Sequence, residues 1–192
     1  MKRLIILLVV SLGILWAGCG AAKRARVEKS RQLHALTVDD FYSFLGVKKN
    51  YTYDSAINVW GEPGKEETNE GSKINYASMY YYGEYGERLF SLTYDKRNYT
   101  LNYIRVTGSN EIGYRSTREF FKQCGVNDIK LQFLGMPRDS IVSVFGEPKR
   151  EQKSELEYQK GGITVTFLCP EFSGGICDEI LVFWNYYYKE QE

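Results

Sequence analysis

Apolar residues recur at two spacings along this chain, and each spacing occurs twice. Ala56, Val59 and Trp60 stand at i, i+3, i+4, and so do Ile141, Val144 and Phe145. That spacing draws one apolar stripe down a helix. Gly61-Glu62-Pro63 closes the first stripe and Gly146-Glu147-Pro148 the second. Glycine suits the position just past a helix end, and proline forbids continuation. Thr52 predicts the cap of the first helix, and Pro137 suits the start of the second. After each Gly-Glu-Pro the period changes to two. Phe90, Leu92 and Tyr94 share one face, as do Ile104 and Val106, Ile163, Val165 and Phe167, and Ile180, Val182 and Trp184. Such alternation marks half-buried antiparallel strands. Earlier strands are expected over 74–82 and 156–159.

The halves match most closely where residues 53–63 return as residues 138–148, with six of eleven positions identical. Upstream, Thr37-Val38-Asp39-Asp40 and Ser116-Thr117-Arg118-Glu119 each place an acid three after a hydroxyl, a capping-box pattern that predicts a short helix ending at Gly46 or Gly125. The sequence therefore predicts an α+β fold: two tandem helix-helix-strand-strand-strand repeats forming one antiparallel sheet with the helices packed on one face. The repeats span 37–107 and 116–188, with a linker at 108–115. The first is longer, and the surplus falls at Tyr80-Tyr81-Tyr82-Gly83-Glu84-Tyr85-Gly86, read as an extended hairpin. Insertion at a loop is where repeat proteins differentiate a binding face.

The beginning of the chain is of another kind. Lys2 and Arg3 precede an apolar run, Leu4 to Leu15, then Ala17-Gly18-Cys19. A basic start and a short apolar core read as an export signal, too short to span a bilayer. The small residues before Cys19 make it resemble a bacterial lipoprotein signal. That resemblance implies removal of residues 1–18 and acylation of Cys19, hence a membrane anchor. Trp16 stands where such signals usually carry Leu, and an ordinary secretory signal and a retained membrane helix are the alternatives. Gly20 after the cysteine, in place of Asp, implies the outer membrane facing the periplasm. Residues 19–36 form a tether with Lys23, Arg24, Arg26, Lys29 and Arg31 against Glu28 alone. Anionic headgroups would attract it, and a solvated spacer is the other reading. Beyond residue 31 the chain has 18 basic and 23 acidic residues, a formal −5. That sign argues against a nucleic-acid partner.

Cys169 and Cys177 flank a turn-rich stretch between two apolar runs. In an oxidising compartment they would bridge the mouth of a hairpin; otherwise they are two buried thiols. Cys124 is left over. No Cys/His spacing suits zinc, so no metal and no cofactor is expected.

Phe133-Leu134-Gly135-Met136, a helix with Val142 and Val144, then Gly146 and Pro148, resembles the β-lactamase inhibitor protein-like superfamily. Its other branch is the SmpA/OmlA lipoproteins, the BamE-type components of outer-membrane protein assembly. Two copies resemble the inhibitor branch, and the lipid signal resembles the other. Both branches imply a protein-binding scaffold without a catalytic centre. The inhibitors carry disulfides after each second helix. Here no cysteine sits there, which counts against β-lactamase inhibition itself.

Catalytic residues are not expected. His34, the single histidine, lies in the tether, so the body offers no Ser-His or Cys-His pair. Gly161-Gly162 and Gly174-Gly175 read as turns, since neither opens a helix or precedes a lysine. Tyrosine is in excess, at 16 of 192 residues. A strand run such as Tyr80–Tyr82 cannot turn every ring into the core, and exposed tyrosine suits interfaces. The alternative is an outer sheet face that tolerates tyrosine. The expectation is a lipid-anchored envelope protein that binds an as yet unnamed envelope protein through Tyr80, Tyr81, Tyr82, Tyr85, Tyr94 and Tyr103. A BamE-like accessory role and small-ligand binding are the alternatives.

Overall fold

The computed structural model describes residues 22–48, 50–69, 75–97, 99–108 and 110–184. The expected signal at 1–18 and the lipidated Cys19 lie outside them. The chain forms two compact units divided between Leu36 and Thr37. In the first, residues 22–34 are helical (α1), with nearly every side chain exposed. No helix among the described residues is long and apolar enough to cross a membrane.

The second unit is an α+β body on one eight-stranded antiparallel sheet. Helix α2, Tyr53–Trp60, starts where the Thr52 hydroxyl accepts the Ser55 N–H at 3.2 Å. It stops at Gly61, whose positive φ of 78° lets its N–H reach the Ile57 carbonyl at 2.8 Å. Helix α4, Arg138–Phe145, ends at Gly146 in the same way, with N–H to the Val142 carbonyl at 2.8 Å. Ala56, Trp60 and Ile141 are buried, whereas Val59 of the expected stripe turns outward and is exposed.

Four strands follow each of these helices: β1 Lys65–Asn69, β2 Tyr76–Tyr82, β3 Arg88–Asp95 and β4 Thr100–Thr107, then β5 Arg150–Gln152, β6 Glu155–Lys160, β7 Ile163–Leu168 and β8 Glu179–Trp184. The expectation of three strands missed β1 and β5. Both are sheet edges in the order β1-β2-β3-β4-β8-β7-β6-β5. Their charged sequences have no buried face and so no apolar period to read. Charge at an edge also discourages pairing with another chain. The two halves join at β4 and β8, with Ile104 opposite Val182.

The opening segments depart from expectation. Residues 38–42 form only a 3-10 turn, held by the Thr37 N–H donating to Asp40 Oδ2 at 2.7 Å. In the second half α3 runs Glu111–Gln123, capped by Asn110, which accepts the Gly113 N–H at 2.9 Å. Ser116 therefore lies inside the helix, and the expected linker at 108–115 supplies its first turn. The length surplus is also split. Part lies in the β2–β3 tip, and part in the β1–β2 connection, where 70–74 fall outside the described residues.

The core shows a reciprocal arrangement. Phe41, in the opening turn of the first half, packs on second-half rings: Phe133 at 6.3 Å, Phe145 at 6.1 Å and Phe167 at 5.9 Å. The indole N–H of Trp184 donates to the Tyr42 carbonyl at 3.1 Å. The Leu45 N–H donates to Asp128 at 2.8 Å, and Lys160 pairs with Asp39. Conversely, Phe121 of α3 packs on first-half rings, Phe90 at 4.9 Å and Trp60 at 6.3 Å. The Thr117 hydroxyl donates to the Thr107 carbonyl at 2.8 Å. Each opening segment thus covers the sheet of the other half. Tyr114 ties the seam: its hydroxyl donates to buried Asp178 at 2.8 Å. Its ring fills the space a side chain on Gly108 or Gly135 would need.

Candidate functional site

The six tyrosines expected to form a partner surface do not lie together. Tyr81 is 3% exposed and Tyr94 1%. Alternation turns both toward the helices. Tyr81 stacks on Phe90 at 4.3 Å and its hydroxyl donates to the Gly61 carbonyl at 3.2 Å. The Tyr94 hydroxyl donates to the Thr52 carbonyl at 3.3 Å. Both are core residues, and their assignment to a contact surface is corrected. Burial accordingly pushes the Tyr81 phenol well above its ordinary pKa.

Tyr80 and Tyr103 occupy positions on the opposite sheet face and are half-buried. The Tyr80 hydroxyl donates to Glu67 at 3.0 Å, and the Tyr103 ring lies 5.0 Å from that of Phe183. The middle of that face is not aromatic. It holds Ser78, Ser91 and Thr93, each 3% exposed, with a 2.8 Å bond between the Ser78 and Thr93 hydroxyls. Beside them Glu179 bridges Arg88 at 3.3 Å and Arg105 at 3.2 Å. The middle of the expected aromatic sheet face is a band of buried hydroxyls, with the half-buried aromatics beside it.

Tyr82 and Tyr85 are the exposed members of the set, at 39% and 82%. They sit at the β2–β3 tip. A register shift between Tyr81 and Tyr82 re-aims the end of β2. The turn is held by three bonds: Gly83 N–H to the Glu87 carbonyl at 2.9 Å, Gly86 N–H to the Gly83 carbonyl at 3.1 Å, and Tyr85 N–H to Glu87 Oε2 at 3.1 Å. Gly86 has a φ of +75°, which a side chain would strain.

Between this tip and α3 runs a cleft of two adjoining hollows, about 300 and 550 Å³, which share Tyr85, Arg115 and Ser116. Leu89 and Phe120 floor the smaller hollow, and Ile112, 66% exposed, rims the larger. Sequence reasoning found the hairpin and missed the α3 wall. Ile112 is the residue that could have revealed it, being a large aliphatic two places after a helix cap.

Cys169 and Cys177 are buried free thiols, and the Cys177 thiol donates to the Glu179 carbonyl at 3.4 Å. The neighbouring Cys177 side chain holds the Cys169 thiol below its usual pKa, against the upward effect of burial. Cys124 is a free, half-buried thiol. Among the described residues no group of three or more His, Cys, Asp or Glu side chains could hold a metal ion.

No protein-family description and no curated protein matches this chain. Among solved structures, the chain is similar to the crystal structure of a DUF4309 family protein (YjgB) from Bacillus subtilis subsp. subtilis str. 168. The two share 16% identity over 72% of this chain and 82% of that one, with a TM-score of 0.47. Likeness at that level assigns neither family nor activity.

Proposed function

We propose that this protein is a lipid-anchored envelope protein that acts as a non-catalytic scaffold, holding a protein partner at the β2–β3 tip and α3. The observation that carries this reading is the exposed Tyr85 ring, fixed on a hydrogen-bonded turn beside a cleft rimmed by exposed Ile112. A backbone already held by hydrogen bonds loses little freedom on docking, which suits the ring it carries to act as a binding anchor. The anchor proper would be acylated Cys19, with the basic segment 22–34 close to the headgroups.

We further propose that the body is a tandem repeat of the β-lactamase inhibitor protein-like kind. Two features support this. The strand order is the same when read inward from either edge. A second-strand tyrosine donates to the carbonyl of the helix-ending glycine in both halves, Tyr81 to Gly61 and Tyr158 to Gly146, each at 3.2 Å.

The test is a photo-crosslinking residue placed at Tyr85 or Ile112 in cells. One partner should be captured from both positions. Capture from Tyr103 or Phe183 alone would move the surface to the open sheet face and refute this one. A captured partner belonging to the β-barrel assembly machinery would assign the accessory role. Replacing Cys19 by Ser should release the protein from the membrane fraction.

A further inference from the structure

The walls of the cleft carry an uneven charge. Glu84, Glu87 and Glu119 line it against one cation, Arg115. Arg115 is paired back along its own helix with Glu111, 3.8 Å away. Glu84 and Glu119 are exposed and make no ion pair among the described residues.

Glu87 is held differently. Its carboxylate lies over Gly83, so close that a Cβ there would sit 2.4 Å from Oε1. Oε2 accepts the Tyr85 N–H, while Oε1 is shielded and has no hydrogen-bond partner. Burial alone would raise its pKa. Hydrogen bonding at the carboxylate, the Tyr85 N–H among the donors, outweighs that and holds it below the ordinary glutamate value. The cleft thus presents the free carboxylates of Glu84 and Glu119, the carboxylate of Glu87 and the rings of Tyr82, Tyr85 and Phe120.

A guanidinium complements that set in three ways. It is planar and stacks on aromatic faces, it gives paired N–H donors to carboxylates, and it reaches them on an apolar stem. An ammonium supplies the charge without the plane. We infer that the cleft receives an arginine-bearing segment of the partner protein, with the guanidinium among Glu84, Glu87 and Glu119 and neighbouring apolar side chains on Tyr85 and Ile112. This rests on the scaffold reading and names the chemistry of its partner. An acidic or purely apolar segment would leave the three carboxylates facing a like charge or nothing.

The experiment titrates the full chain carrying Cys19→Ser, isotope-labelled, with the peptide acetyl-Leu-Arg-Tyr-Arg-Leu-amide. Two control peptides carry citrulline or Glu in place of Arg. Amide shifts should be confined to the tip and α3, at residues such as Tyr85, Gly113 and Ser116. The citrulline peptide should bind at least tenfold more weakly and the Glu peptide not at all. Glu87→Gln with Glu119→Gln should cost the Arg peptide a similar factor. Glu84→Gln with Glu119→Gln alters only exposed side chains and keeps the test open if the Glu87 variant fails to fold. Equal binding of the citrulline or Glu peptide, shifts elsewhere, or no shift at millimolar peptide overturns the inference. Crosslinking at Tyr85 separates the two readings. A partner still captured by the Glu→Gln variants leaves the scaffold and removes the arginine. No capture from Tyr85 or Ile112 in the unaltered protein removes both.

Discussion

Replacing Phe41 by Ala tests the reciprocal core directly. Phe41 belongs to the first half by sequence, yet three of its ring neighbours, Phe133, Phe145 and Phe167, belong to the second. It is 0% exposed. Removing a buried phenyl forfeits roughly 1.5–3 kcal/mol of transfer free energy. It also leaves a cavity and unpartnered ring edges, which brings the expected loss to about 3–5 kcal/mol. For a body of this size that lowers the melting temperature by about 6–20 °C. Urea denaturation followed by tryptophan fluorescence measures the loss, and amide chemical shifts locate it. Shifts should fall on β6 and β7, which the Val38–Tyr42 turn covers. Amides around Tyr81 and Phe90 should stay put. Phe121→Ala should do the converse, disturbing β3 and β4 of the first half. A loss under about 1 kcal/mol, or Phe41→Ala shifts centred on β2 and β3, would refute the exchange of opening segments.

The tyrosine assignments separate sharply. Tyr85→Ser should change stability by no more than about 0.5 kcal/mol, as for other exposed positions. Tyr81→Ser should cost several kcal/mol through lost ring burial and an orphaned Gly61 carbonyl, and equal urea midpoints would contradict the burial. Burial pushes the Tyr158 phenol up to about 12 from an ordinary 10.0. A raised folded-state pKa means its contribution is whole below pH 10 and is lost as pH rises toward 12. Stability against urea should fall over that window and fall less in Tyr158→Phe; identical profiles would exclude the residue. Cys169 and Cys177 should titrate as free thiols only after denaturation. If mass spectrometry finds them bridged, the nine-residue loop should add about 2.6 kcal/mol that a reductant abolishes.

Most of the secondary structure was legible because its signals are local. Thr52, Gly61 and Pro63 bound α2 whatever surrounds them, and period-two apolar runs marked six of the eight strands. Helix α3 was placed too late. Ser116 and Glu119 mimic a cap, while the true cap, Asn110, carries no acid three residues on. The candidate site was half legible. The Tyr80–Gly86 hairpin stood out as an insertion. Its opposing wall on α3 did not, since nothing in the pattern says which helix lies beside which hairpin.

What the sequence determined by itself, then, is the set of elements and their ends, because caps, prolines, glycines and apolar periods act within a few residues. Only the tertiary structure decided which half each opening segment covers. Apolar burial is non-directional, so Phe41 could pack on either sheet, and the connections and the β4–β8 seam choose between them. The same holds for the tyrosines. Consecutive rings in a strand must face opposite ways, and the register, with its shift at Tyr81/Tyr82, settles that Tyr81 supports the core while Tyr82 and Tyr85 are left exposed.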